Sequence, residues 1–329
     1  MAHNVLTAAY SVPAWHGLGY VSPDGSPMQL DFAYEQAGWD YTVEAVPKFY
    51  TFGDQVRDIP GMVALVRADN GDLLGEASAK YEIFQNSEIR TFIETLVYNE
   101  VEIHAMGVLG KGERVWCLGK IPGYITVRPD DIVDQYLLIV SGHDGKTTLK
   151  AFFTGIRVVC QNTLTAALRA YKQAQNGISI RHKGNLQDKA KEAQRVLGIS
   201  TSFYKELSDI WKALDSWNVS QLDVSNFLDA MVPLPELPEG KETSKGLTQA
   251  ANKREKIITR FEKGAGNVGR SAWDLYNGFT EFVDYDGQWK KTEQTSLEIN
   301  RFESTFYGVA ADEKARALNV LVETMVGGN

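Results

Sequence analysis

The chain is short of the residues from which most recognisable chemistry is built. Two cysteines (Cys117, Cys160) and five histidines (His3, His16, His104, His143, His182) show no C-x-x-C, H-E-x-x-H or related spacing, so a disulfide framework and a spaced metal site are both excluded as organising features. Both cysteines stand in apolar, strand-like surroundings, which suits buried reduced thiols in a cytoplasmic protein; a disulfide between neighbouring strands is the alternative. Long apolar runs are missing as well. Tyr136–Val140 is typical of the longest, far below the ~20 residues that cross a bilayer. The opening Met1-Ala-His-Asn-Val5 carries neither the basic region nor the apolar stretch of a signal peptide. Basic residues are in deficit, 34 Lys/Arg against 42 Asp/Glu for a net charge of −8, which argues against an indiscriminate polyanion binder. No repeat and no low-complexity tract is present.

The distribution of charge is uneven. Between Ser141 and Lys212 twelve Lys/Arg face five Asp/Glu, a local +7 that leaves −15 on the rest. Such asymmetry points to nucleic-acid contact, or to a basic face meeting an acidic one on a neighbouring subunit. The stretch the chain is organised around, Arg114–Lys172, overlaps the start of this basic span. Arg114–Ile121 and Asp134–Ser141 read as apolar strands, the latter a buried one. Gly142-His-Asp-Gly145 supplies a hairpin turn, and Thr147–Cys160 returns as a third strand. Asn162 or Thr163 then caps a helix to Asn176, with Leu164, Ala167, Leu168 and Tyr171 as its packing stripe. Lys150, Phe152 and Thr154 share one side of the third strand. A bulge at Gly155 would bring Arg157 to the same side.

The predicted fold is therefore α+β, an antiparallel sheet with a β-β-β-α core, followed by a mainly helical C-terminal region. Residues 1–177 form the core domain and 178–232 a helical extension, with helices over Leu186–Leu197, Phe203–Trp217 and Val224–Met231. Residues 233–246, holding Pro233, Pro235 and Pro238, read as a linker. Residues 247–329 form a helical C-terminal domain. Lys120–Val127, around Pro122-Gly123, is a connecting hairpin or bulged strand.

Catalytic signals are sparse. Ser141, His143 and Asp144 are neighbours in sequence, which does not make a triad, and Cys160 facing His143 across the hairpin is the other nucleophile–base pairing. Gly264-Ala-Gly-Asn-Val-Gly269 matches G-x-G-x-x-G, but the dinucleotide mechanism needs a strand before the loop, and Lys253–Lys263 reads as helix. A helix cap and hinge is the structural alternative. No catalytic residue, metal or cofactor is expected. Single-stranded nucleic acid is held by cations along phosphates and rings under bases. Lys146, Lys150, Phe152, Arg157, Arg169, Lys172, Arg181 and Lys183 could supply both.

Several strings are familiar together: Ala14-Trp-His-Gly-Leu-Gly19, Tyr81-Glu-Ile-Phe-Gln-Asn86, Ser141-Gly-His-Asp-Gly145, Arg157-Val-Val-Cys-Gln-Asn-Thr-Leu164, Ile180-Arg-His182 and Trp273-Asp-Leu-Tyr-Asn277. They resemble a phage/plasmid-like protein family catalogued as domain of unknown function 932. That resemblance covers nearly the whole chain and implies a bacteriophage, prophage or plasmid gene acting in a bacterial host cell, without an established activity. The order of strands and helix around Arg114–Asn176 is also similar to the core of single-strand annealing proteins of the lambda Red-beta and Rad-fifty-two kind. This second resemblance implies ring or filament homo-oligomers, DNA in a basic groove, and a C-terminal part that recruits a phage nuclease or host single-strand binding protein. The expectation is a single-stranded DNA-binding and strand-annealing protein of phage or plasmid recombination. Its rivals are a non-enzymatic module acting on a host factor and a nucleotide-using enzyme.

Overall fold

The computed structural model describes residues 5–11, 19–157, 163–164, 178–179, 186–237, 243–287 and 297–327. Among them the main sheet is built from β1 (Val5–Tyr10), β2 (Tyr20–Val21), β6 (Glu102–Leu109), β7 (Arg114–Arg128), β8 (Asp131–Gly142), β9 (Lys150–Arg157), β10 (Thr163–Leu164) and β11 (Ile178–Ser179). Its order is β10-β9-β8-β7-β6-β1-β2, with β11 also beside β9. The β6–β9 meander is antiparallel, but β2 joins β1 in parallel, so the sheet is mixed.

Apolar residues on both faces explain why these strands read as continuous apolar runs rather than as alternation. Cys117, Leu137, Ile139, Ala151 and Phe153 point to one face, and Trp116, Leu118, Leu138, Val140 and Phe152 to the other. The first face is covered by helices α1 (Leu30–Gln36), α2 (Asn86–Tyr98) and α3 (Leu186–Ser216). Tyr204 on α3 is wholly buried there, its hydroxyl 2.7 Å from the carbonyl of Tyr136 and 2.8 Å from that of Thr154. On the second face Phe152 stacks on Tyr307, ring centroids 4.8 Å apart.

A second, three-stranded antiparallel sheet comprises β3 (Val43–Phe52), β4 (Gln55–Arg67) and β5 (Leu73–Ser78). Val43, Leu65, Leu74 and Ala77 root it in the core. The β3–β4 pairing continues past the end of β5 as a two-stranded arm, closed at Phe52–Gln55.

The C-terminal region is helical: α4 (Gln221–Met231), α5 (Lys245–Lys263), α6 (Ala272–Glu281), a π-helical turn (Phe282–Asp286), α7 (Leu297–Tyr307) and α8 (Val309–Gly327). Helix α6 is buried on every side. Gly278 makes that possible, because a Cβ there would stand 2.6 Å from the backbone nitrogen of Phe261 on α5. Gly278→Ala is expected to cost about 1–3 kcal/mol through overpacking, read as a lowered melting temperature. No described helix is long and apolar enough to cross a membrane.

Three expectations need correcting. Leu186–Ser216 is one helix, not two, running through Gly198. Of the two readings of Lys120–Val127 the bulged strand holds, since it continues β7 past a register shift between Lys120 and Tyr124. Thr163 lies in a strand paired with Ile156 rather than at a helix cap, and the remainder of the expected helix to Asn176 lies outside the described residues. Finally, β9 has no bulge at Gly155. Its register against β8 runs unshifted from Val140–Lys150 to Val133–Arg157, so Arg157 falls on the side opposite Lys150 and Phe152.

Candidate functional site

That register sends Arg157 into the interior, where its exposure is 0%. All five of its N–H donors find acceptors. Nε and one Nη2 hydrogen grip the two oxygens of Asp131. Nη1 donates to the carbonyl of Ala265 at 3.0 Å and to Oδ1 of Asn267 at 2.7 Å, and Nη2 also donates to the carbonyl of Gly266 at 2.8 Å. The Trp273 ring lies 5.7 Å from the guanidinium, and its Nε1–H donates to Asp131 at 2.8 Å.

The glycine-rich loop is therefore an arginine clasp. It leaves a helix, as its sequence context indicates, and turns carbonyls rather than N–H groups toward its occupant. The backbone N–H groups of Arg270 and Ser271, where α6 begins, are taken by the Asp274 carboxylate at 3.1 Å each. Arg128 bonds the same carboxylate and also lies near Asp131 and Asp215. Burial pushes the Asp274 carboxyl up, but the Arg128 hydrogen bond and the backbone donors outweigh it and leave it below the usual range.

Two pairs of the strings noted in the sequence meet here. Arg157 of one touches Trp273 of another, and His143 shares a 2.7 Å hydrogen bond with Asn86. Of the remaining two strings, all but Gly19 lies outside the described residues. His143 is buried, edge-on to Tyr41 with ring centroids 5.8 Å apart. Burial pushes its pKa down to about 4, so it is neutral near pH 7. Cys117 is buried too, its thiol pushed up by burial, and an un-ionised thiol is a poor nucleophile. Cys160 lies outside the described residues. Among the described residues no group of three or more His, Cys, Asp or Glu is placed to hold a metal ion.

The expected nucleic-acid residues fare unequally. Lys146 is exposed in the β8–β9 loop, its backbone nitrogen 3.0 Å from Oδ1 of Asp144. Lys150 is half-buried at the start of β9. Phe152 and Arg157 are interior side chains, one under Tyr307 and the other in the clasp. Neither presents a surface to a base or a phosphate, which corrects the expectation for both. Arg169, Lys172, Arg181 and Lys183 lie outside the described residues.

A surface missed in the sequence is the β3–β4 arm. Residues directly opposite in an antiparallel pair share a face. Tyr50 opposes Arg57 and Phe52 opposes Gln55, while Phe49 opposes Asp58 and Thr51 opposes Val56 on the other face. Tyr50 is 45% exposed and Phe52 70%, and the Arg57 guanidinium sits 5.7 Å from the Phe52 ring centroid. The usable signal was Phe52-Gly53-Asp54, a turn with Gly53 at φ 59°, between two segments rich in β-forming residues.

No curated protein and no solved structure matches this chain. A family model described as "Domain of unknown function (DUF932)" matches residues 73–306, which includes the arginine clasp and the His143–Asn86 pair and begins after the arm. With well over half its length matched, the chain belongs to that family of unknown function.

Proposed function

We propose that the chain binds single-stranded nucleic acid without a covalent step and serves strand annealing in phage or plasmid recombination, with the arm as the surface of contact. The supporting observation is the face that carries Tyr50, Phe52, Gln55 and Arg57: two exposed rings beside a guanidinium, with no carboxylate among the paired residues. Rings of this kind stack bases whatever their identity, and a neighbouring arginine adds cation–π and phosphate contact. Because the whole chain carries −8, binding rests on this local patch rather than on a broad field.

The test is fluorescence anisotropy with a labelled oligonucleotide over a salt series. Phosphate neutralisation scales with the salt slope, so a shallow slope of about one to two contacts is expected. Loss of one stack is worth roughly 1–3 kcal/mol, so Phe52→Ala is expected to weaken binding about 5- to 150-fold. Absence of binding at low salt overturns the proposal. Lys150→Glu locates the surface: if it abolishes binding while Phe52→Ala has no effect, contact belongs to the β9 region instead of the arm.

A further inference from the structure

A cavity of about 590 Å³ opens between α5 and the π-helical turn that follows α6. Its size suits a small molecule, and π-turns recur at functional sites. The inner wall is an ion-pair network. Arg260 bonds Oε1 of Glu281 and, at 2.8 Å, Oδ2 of Asp286. Glu281 is 7% exposed, yet its other oxygen, Oε2, is buried and accepts no hydrogen bond from any described residue. Leaving a buried acceptor unmet is costly, so the missing donor is the feature to explain. Gly264 packs over it: a Cβ there would stand 2.4 Å from Oε2, and both residues line the cavity.

The face of α5 forms the other wall. Lys256 stands eight residues before Gly264, about 12 Å along the helix axis, with Asn252 one turn beyond it. The Lys256 side chain is 57% exposed and reaches Asp286 at 3.5 Å, which leaves two of its three donors for a guest. An acceptor at one end and donors at the other describe an elongated guest, with N–H donors at its head and an anion at its tail. A metal ion does not fit, because both carboxylates already serve Arg260. Guanine does. Its N1–H and exocyclic amine are parallel donors on one edge, the pattern a carboxylate accepts as a pair. Adenine and cytosine set an acceptor beside their amine, which a carboxylate repels. The last torsion of a glutamate is soft, so Oε2 can turn from Gly264 to such an edge. We propose that this cavity binds a guanine nucleotide, its base edge on Glu281 and its phosphate at Lys256 and Asn252. The site does not rest on the arm, and no covalent step follows from it.

Equilibrium dialysis of the full chain against GMP, IMP, AMP, guanosine and inorganic phosphate tests this. GMP is expected to bind at least about tenfold tighter than AMP or phosphate, since a site built to accept hydrogen bonds rejects a base that lacks the donors. IMP lacks the exocyclic amine and should lose about tenfold, the worth of one hydrogen bond to a charged group. That comparison uses the wild-type chain and leaves the fold untouched. Lys256→Ala, at an exposed side chain, should weaken GMP by about three- to tenfold and leave guanosine unchanged. Glu281→Gln keeps an oxygen for Arg260 but turns an amide toward the guest, and should erase the preference for GMP over AMP. Equal binding of GMP, IMP and AMP overturns the inference, as does phosphate binding as tightly as GMP, or no uptake of GMP at millimolar concentration. Oligonucleotide binding through Phe52 is measured separately, so failure of either reading leaves the other to be judged alone.

Discussion

Arg157→Ala is expected to destabilise the fold by about 3–5 kcal/mol, the cost of breaking a buried ion pair by removing one of its members. Asp131 is 2% exposed and would lose both of its Arg157 hydrogen bonds, and the Ala265 and Gly266 carbonyls would lose their donor. The glycine-rich loop would then be left without the group it folds around. Arg157→Lys should recover little. An ammonium has three donors and no planar fork, so it cannot serve a carboxylate bidentately and three further acceptors together. Trp273→Phe isolates a smaller part, the Nε1–H donated to Asp131, worth about 1–3 kcal/mol because the acceptor is charged. Urea unfolding of the three variants should rank Ala and Lys together, well below Phe. If the lysine variant is as stable as the wild type, the five-donor clasp is not what holds the loop. The same experiment bears on function: lost oligonucleotide binding in an Arg157 variant would report a damaged interior, not a missing phosphate contact.

The clasp also shows where sequence reasoning stops. The β7–β9 meander was legible because apolar, β-branched and aromatic residues run through it, and it must bury both faces. Most helices were legible by the same logic. Arg157 was not, because an arginine letter is the same at a surface and in a core, and exposure is the usual rule for it. Its acid partner lies 26 residues away, and two of its acceptors are backbone carbonyls more than 100 residues away that no letter encodes. Gly155 invited a bulge that the pairing with Gln135 does not contain. At Gly198 a propensity cost of about 1 kcal/mol is outweighed by the packing of Ala193 and Val196 before it and Phe203 and Tyr204 after it. The Gln55–Gly61 part of β4, which makes the arm out of β3, escaped notice for a different reason: with both faces exposed, it lacks the buried-face alternation by which strands are recognised.

Acid should weaken this protein well above the pH at which its carboxylates protonate, and His143 is the reason. Its folded-state pKa is pushed down to about 4, against roughly 6.5 in an unfolded chain. Between those values the unfolded state binds the proton and the folded state does not, so the free energy of unfolding falls as pH falls. The stability is fully present above pH ~6.5 and lost progressively toward pH ~4, amounting to about 3 kcal/mol across the window. The physical cause is burial against Tyr41 and Asn86; the nearby Asp144 pulls the other way, and Arg114 in turn adds to the lowering. His104 is shifted in the same direction, chiefly by burial, so the wild-type slope is not that of one group. Comparison with His143→Gln separates them. Glutamine can donate to Oδ1 of Asn86 but does not titrate, so the difference in stability between the two proteins should shrink by about 3 kcal/mol from pH 7 to pH 4. Carboxylates held low by their partners, Asp144 and Asp274 among them, act at lower pH and are common to both chains. A difference that stays constant over that interval would mean that His143 takes up its proton at the same pH in the folded protein as in the unfolded chain, so that burial against Tyr41 and Asn86 does not hold the ring neutral.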